Sequence, residues 1–148
     1  MKYWYVEGIY ENNTLSINAD RTIVEQKRAS ILQTWWYYVT YDVTEDGLVK
    51  REEDFYEPIE TDLWLWGSET KCDFEFYSKP DRDSEKLFIP MGAYVYFTGL
   101  DDEHWVEISY EQYEVTKYAY LYVDDFYIVD RNSEMTAEDL FEDLLMAD

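Results

Sequence analysis

Between Cys72 and Asp125 apolar side chains return at every second position, in runs too short for a helix, and this period constrains the fold more than any other feature. Cys72, Phe74 and Phe76 fall on one side of an extended chain and Asp73, Glu75 and Tyr77 on the other, the pattern of a half-buried strand. Residues 78–85 are polar and contain Pro80, so they predict a long loop that re-enters the sheet at Leu87. Pro90-Met91-Gly92 then turns the chain into residues 93–97, a β-favouring run closed by Gly99 and the acidic turn Asp101-Asp102-Glu103. Residues 104–108 predict the next strand, 111–117 a second polar loop, 118–123 the last strand, and Asp124-Asp125-Phe126 a closing turn.

The same alternation recurs earlier. Residues 3–10 read as an aromatic strand with Gly8 as a bulge, residues 11–13 as a turn, and 14–17 as its partner. Asn12-Asn13-Thr14 also fits a glycosylation sequon, although a turn explains it equally. Residues 22–26 predict a third strand, followed by the one compact basic spot, Lys27-Arg28-Ala29-Ser30. Residues 34–56 predict a hairpin in which Trp35, Tyr37, Val39, Tyr41 and Val43 oppose Trp36, Tyr38, Thr40 and Asp42. Its turn is Thr44-Glu45-Asp46-Gly47, with the favoured Asp-Gly pair, and its returning arm is residues 48–56, solvated along 50–54. Residues 57–68 carry Leu63, Trp64, Leu65 and Trp66, too much apolar surface for a free linker, so they predict a connector docked between the halves. Near the C-terminus, Thr136 and Asp139 form an acidic capping box. Ala137, Leu140, Phe141, Leu144 and Leu145 follow at helical spacing, against Glu138, Asp139, Glu142 and Asp143.

The expected fold is therefore all-β with one C-terminal helix. Residues 1–66 form an antiparallel β-meander, 67–130 a small barrel packed against it, and 131–148 an amphipathic acidic helix that docks on its own domain. At 148 residues such a chain can bury about 68–70% of its unfolded surface. Its 47% hydrophobic and 20% aromatic content is too rich for disorder despite a formal charge of −22.

The order of strand, long loop, glycine turn, strand, acidic turn, Trp105-Val106-Glu107-Ile108 and Tyr120-Leu121-Tyr122-Val123 resembles the bacterial Src-homology-3-like family. The resemblance covers little more than a third of the chain, and Ala119 stands where that family commonly has glycine. It implies a non-catalytic domain of a secreted or surface protein that takes peptide or cell-wall material in an aromatic groove. Carried onto this chain, the groove residues are Tyr77, Trp105, Tyr120 and Tyr122, with Asp101, Asp102 and Glu103 beside them to attract a basic group. Core burial of Trp105 and some of the tyrosines is the competing explanation. An extracellular or cell-surface location follows if the chain is an excised piece, a cytoplasmic one otherwise.

Residue chemistry narrows the function further. The excess of 34 Asp and Glu over 12 Lys and Arg opposes direct binding to nucleic acid or anionic membranes, and it fits either a solubilising shell or a surface that attracts a basic protein partner. An acidic inhibitor or immunity-type protein that imitates nucleic acid is the alternative reading. His104 is the single histidine and Cys72 the single cysteine, so an intrachain disulfide, thiolate clusters and His-pair metal sites are excluded. A Cys72–His104 dyad lacks any oxyanion-hole signal. Asp81-Arg82-Asp83-Ser84-Glu85 starts like a calcium loop, but Lys86 stands at the glycine position and Gly92 at the bidentate glutamate position. No cofactor is expected. No opening apolar run resembles a signal peptide, and no segment is long enough to cross a bilayer as a helix.

Overall fold

Period-two sequence becomes antiparallel sheet throughout the computed structural model, which describes residues 14–59, 67–130 and 132–144. The strand expected at 3–10, the turn and sequon residues at 11–13, Leu63 to Trp66 of the connector, and Leu145 lie outside the described residues.

The first sheet has the order β1-β2-β3-β4, with β1 at Thr14–Ile17, β2 at Thr22–Ile31, β3 at Gln33–Thr44 and β4 at Gly47–Lys50. Trp35, Tyr37, Val39 and Tyr41 are buried, whereas Tyr38 on the opposite face is 53% exposed, so the alternation assigns the faces correctly. Two boundaries differ from expectation. Strand β2 does not end at Gln26 but continues through the basic spot, because Lys27 to Ile31 stay in register with Tyr37 to Gln33 of β3. The returning arm stops at Lys50 rather than Tyr56. Tyr56 instead joins the second sheet, exchanging backbone hydrogen bonds with Leu100 at 2.8 and 3.1 Å.

The second sheet has the order β5-β8-β9-β10-β6-β7: β5 Gly67–Glu69, β6 Phe74–Tyr77, β7 Lys86–Ile89, β8 Tyr94–Leu100, β9 Trp105–Gln112 and β10 Val115–Tyr122. The junction of β10 with β6, at Tyr120 opposite Tyr77, joins the β8–β10 meander to the hairpin that carries the long loop. Val95, Val106 and Leu121 are buried in one core, with Phe74 packed against it. At Gly99 the register of β8 shifts, and an added Cβ there would lie 3.1 Å from Phe55 Cβ, so the bulge accommodates the crossing segment.

The expected second loop at 111–117 is a tight turn. Strands β9 and β10 run on until only Tyr113 and Glu114 remain between them, at φ 52° and 63°. That double left-handed geometry suits Asn-Gly and costs other residues about 1–2 kcal/mol each; with neither Gly nor Asn present, the turn carries no local sequence signal. The double substitution Tyr113→Asn, Glu114→Gly is expected to stabilise the chain by about 1 kcal/mol, raising Tm by roughly 2–4 °C. An unchanged or lower Tm in a thermal melt would show that this turn is not a source of strain.

Beyond β11 (Ile128–Asp130) and β12 (Met135–Thr136), the helix α1 spans only Ala137–Leu140. Its start is as expected, since the Asp139 carboxylate accepts the Thr136 N–H at 2.9 Å and hydroxyl at 3.0 Å. Its end is not. Phe141 is extended and bridges Thr70, Lys71 N–H donates to Leu140 O at 2.7 Å, and Glu142 N–H donates to Glu69 O at 3.1 Å. Residues 140–142 thus pair with Glu69 to Lys71 at the end of β5, and that pairing replaces the helical bonds expected after Leu140. Phe141 still reaches the core, 5.2 Å edge-on from Phe97.

One core spans both sheets. Trp35 meets Phe97 edge-on at 5.6 Å. Leu32, fully buried at the β2–β3 apex with φ 68°, donates its N–H to Phe126 O at 2.8 Å. Among the described residues no helix is long and apolar enough to cross a membrane.

Candidate functional site

Register places the expected groove aromatics together. Trp105 pairs with Tyr122, Glu107 with Tyr120, and Tyr120 with Tyr77, whereas the alternate residues Val106, Ile108, Ala119 and Leu121 are fully or almost fully buried. The outer face of β6, β9 and β10 therefore carries Tyr77, Trp105, Glu107, Tyr120 and Tyr122, all half-buried. Trp105 stands edge-on between Tyr77 at 5.4 Å and Tyr122 at 5.2 Å, and His104 stacks on Tyr122 at 5.0 Å. Ala119 is a small core residue with no exposure.

This ridge separates two clefts. One, of about 490 Å³, is lined by Phe55, Trp105 and Tyr120 with Asp54, Asp101 and Glu107. The other, of about 760 Å³, holds Tyr77, Tyr122, Arg82 and Lys86 among Asp73, Glu75, Asp124 and Asp130. The loop at 78–85 reaches both, placing Pro80 in the first and Arg82 in the second. It is a built loop: Ser78 N–H donates to Glu85 O at 2.7 Å, Ser84 Oγ to Asp81 O at 2.6 Å, and Asp83 N–H to Asp81 Oδ1 at 2.9 Å.

The three acids of the β8–β9 turn, expected to act together, divide. Asp101 Oδ1 accepts the backbone N–H of Glu103, His104 and Trp105 at 2.8, 2.9 and 2.9 Å, so Asp101 fixes the entry of Trp105 into the sheet while lining the smaller cleft. Asp102, at φ 58°, turns away to the first sheet, where its carboxylate accepts the Tyr37 hydroxyl. Glu103 is exposed.

Asp102 is exposed as a residue, but desolvation of its carboxyl beside Tyr37 raises that group above its ordinary range, with Asp101 adding to the shift and Tyr37, Lys27 and Lys50 opposing it. Burial, then the bond to Asp102, pushes the Tyr37 hydroxyl far up. Because the folded chain holds the Asp102 proton more tightly than the unfolded chain, ionised Asp102 costs stability above its folded pKa, and that cost vanishes as pH falls below the unfolded value. Asp102→Asn, which keeps an acceptor for Tyr37, is expected to raise Tm slightly at neutral pH and to leave it unchanged below about pH 4. A lower Tm at neutral pH would reverse the assigned sign.

Glu107 and Phe55 carry no site expectation from the sequence, and Arg82 enters there only within the calcium-loop-like run at 81–85. Glu107 is central: Tyr120 donates its hydroxyl to Oε2 at 3.0 Å and Thr98 donates to Oε1 at 2.9 Å. Burial, then Glu107, pushes the Tyr120 hydroxyl up to about 12. Its position two residues after Trp105 on an alternating strand was the available signal. Phe55 reaches Tyr120 at 5.6 Å only because the chain leaves β4 early, which no local pattern indicates.

Cys72 and His104 have separate surroundings. Cys72 Sγ lies 4.0 Å from Asp139 O, and burial, then Asp73 and Asp139, raises its thiol above the ordinary range; His104 Nδ1 lies 3.1 Å from Val123 O. Among the described residues no group of three or more His, Cys, Asp or Glu is placed to hold a metal. Compared with protein-family models, with curated proteins and with solved structures, the chain matches none.

Proposed function

We propose that this chain is a non-catalytic binding module that holds an extended basic peptide across the ridge of Tyr77, Trp105, Tyr120 and Tyr122, in the manner of a bacterial Src-homology-3-like domain. The observation that carries the reading is the gathering of those four aromatics on one outer face, between clefts bounded by carboxylates. Aromatic faces supply contact area and attract cations, and the carboxylates supply charge complementarity. The formal charge of −22 draws basic partners and repels nucleic acid at long range.

Calorimetric titration with a synthetic Arg-Pro-Pro-Arg repeat is expected to saturate, and the same peptide with Glu for Arg is not. Soluble cell-wall fragments form a second arm that separates a wall ligand from a protein partner. Absence of heat with the basic peptide and the wall fragments alike, at millimolar ligand, would remove the reading. The same excess of acids also supports a role as an acidic inhibitor of a basic protein. That role requires complexes that dissociate steeply with salt and persist after the ridge aromatics are removed.

A further inference from the structure

We infer that Arg82 is an in-chain stand-in for the ligand's cationic group, and that ligand binds by displacing its guanidinium from Tyr122. The inference rests on the peptide-binding reading and gives it a chemical class: the ridge accepts arginine-bearing segments, with the 760 Å³ cleft as the cation subsite. Arg82 Cζ lies 4.5 Å from the Tyr122 ring centre, and Lys86 Nζ lies 5.9 Å from that of Tyr77. Tyr122 is braced by Trp105 at 5.2 Å and His104 at 5.0 Å, so it forms a fixed platform.

In a chain with 34 acidic residues, four of which line this cleft, Arg82 sits on an aromatic ring, and among the described residues no carboxylate closes an ion pair with it. Lys86 differs, pairing with Glu75 at 3.9 Å. The loop that carries Arg82 is closed by Ser78, Asp81, Ser84 and Glu85, none of whose bonds uses the guanidinium. The side chain can therefore leave the ring while the loop keeps its shape. A ligand arginine that takes the same place exchanges one cation–π contact for another, and the in-chain contact weakens every basic ligand by the work of displacing it.

The test compares the Arg-Pro-Pro-Arg repeat on wild type, Arg82→Ala and Lys79→Ala by calorimetry. Lys79→Ala removes an equal charge from the same loop at an exposed site. The expected result is affinity about two- to fivefold tighter for Arg82→Ala, with a smaller change for Lys79→Ala. In wild type, saturating peptide is expected to shift the Arg82 Nε–H resonance as it leaves the ring current of Tyr122. Equal gains in both variants, no gain or a loss in Arg82→Ala, or an unmoved Arg82 resonance overturns the inference while a binding wild type preserves the module reading. No binding by wild type and Arg82→Ala removes both.

Discussion

Trp35→Ala is expected to destabilise the whole chain by about 3–5 kcal/mol and to lower Tm by on the order of 10 °C, in a single transition. Trp35 is 1% exposed, donates its indole N–H to Ile31 O at 2.5 Å, and packs edge-on against Phe97 of the second sheet. Truncation leaves a cavity and removes the indole bond to Ile31 O, and both losses fall where the two sheets meet. Such a loss is a large part of the roughly 5–15 kcal/mol that holds a domain together. Trp36→Ala, at a half-buried position on the other face of β3, is the control and is expected to cost far less. Denaturation followed by circular dichroism and by fluorescence should give coincident curves for the Trp35 variant. Two separated transitions, one of them at the wild-type midpoint, would mean that the sheets are stabilised independently.

The second large effect concerns binding and leaves the fold intact. Trp105→Ala is expected to weaken the basic peptide by about 2 kcal/mol or more, close to thirtyfold, because Trp105 touches Tyr77 and Tyr122 and also walls the smaller cleft. Its backbone N–H is held by Asp101, so the turn survives loss of the ring. Tyr113→Ala, at a 90% exposed turn position, should leave affinity unchanged. Affinity within twofold of wild type for Trp105→Ala, with the melt unaltered, would place the ligand elsewhere or remove it.

What was legible in sequence was local. Period two identified the middle of the strands and their faces from Cys72 to Val123, though not the run of β9 and β10 through the loop expected at 111–117; Asp46-Gly47 marked its hairpin, and Thr136 with Asp139 marked the helix start. What was not legible depended on partners distant along the chain. Strand β2 lengthens because β3 offers it pairing to Ile31, and α1 ends after one turn because Thr70, just past β5, offers Phe141 a bridge. The site follows the same division. Tyr77, Trp105, Tyr120 and Tyr122 share a face for reasons of alternation and register, whereas Asp102 departs because a tyrosine from the first sheet claims it. Glu107 was hidden by abundance, one acid among 34, until Tyr120 and Thr98 were found to converge on it.

The strip from Leu140 to Asp143 also bears on solubility. Laid along Ser68 to Lys71, it occupies the Glu69 carbonyl and the Lys71 amide, which would otherwise be open to a strand from a neighbouring molecule. Detachment would uncover that backbone together with the slot vacated by Phe141, a ready template for fibrillar stacking. The strip thus covers part of an edge otherwise open to intermolecular pairing, a task separate from anything the aromatic ridge performs.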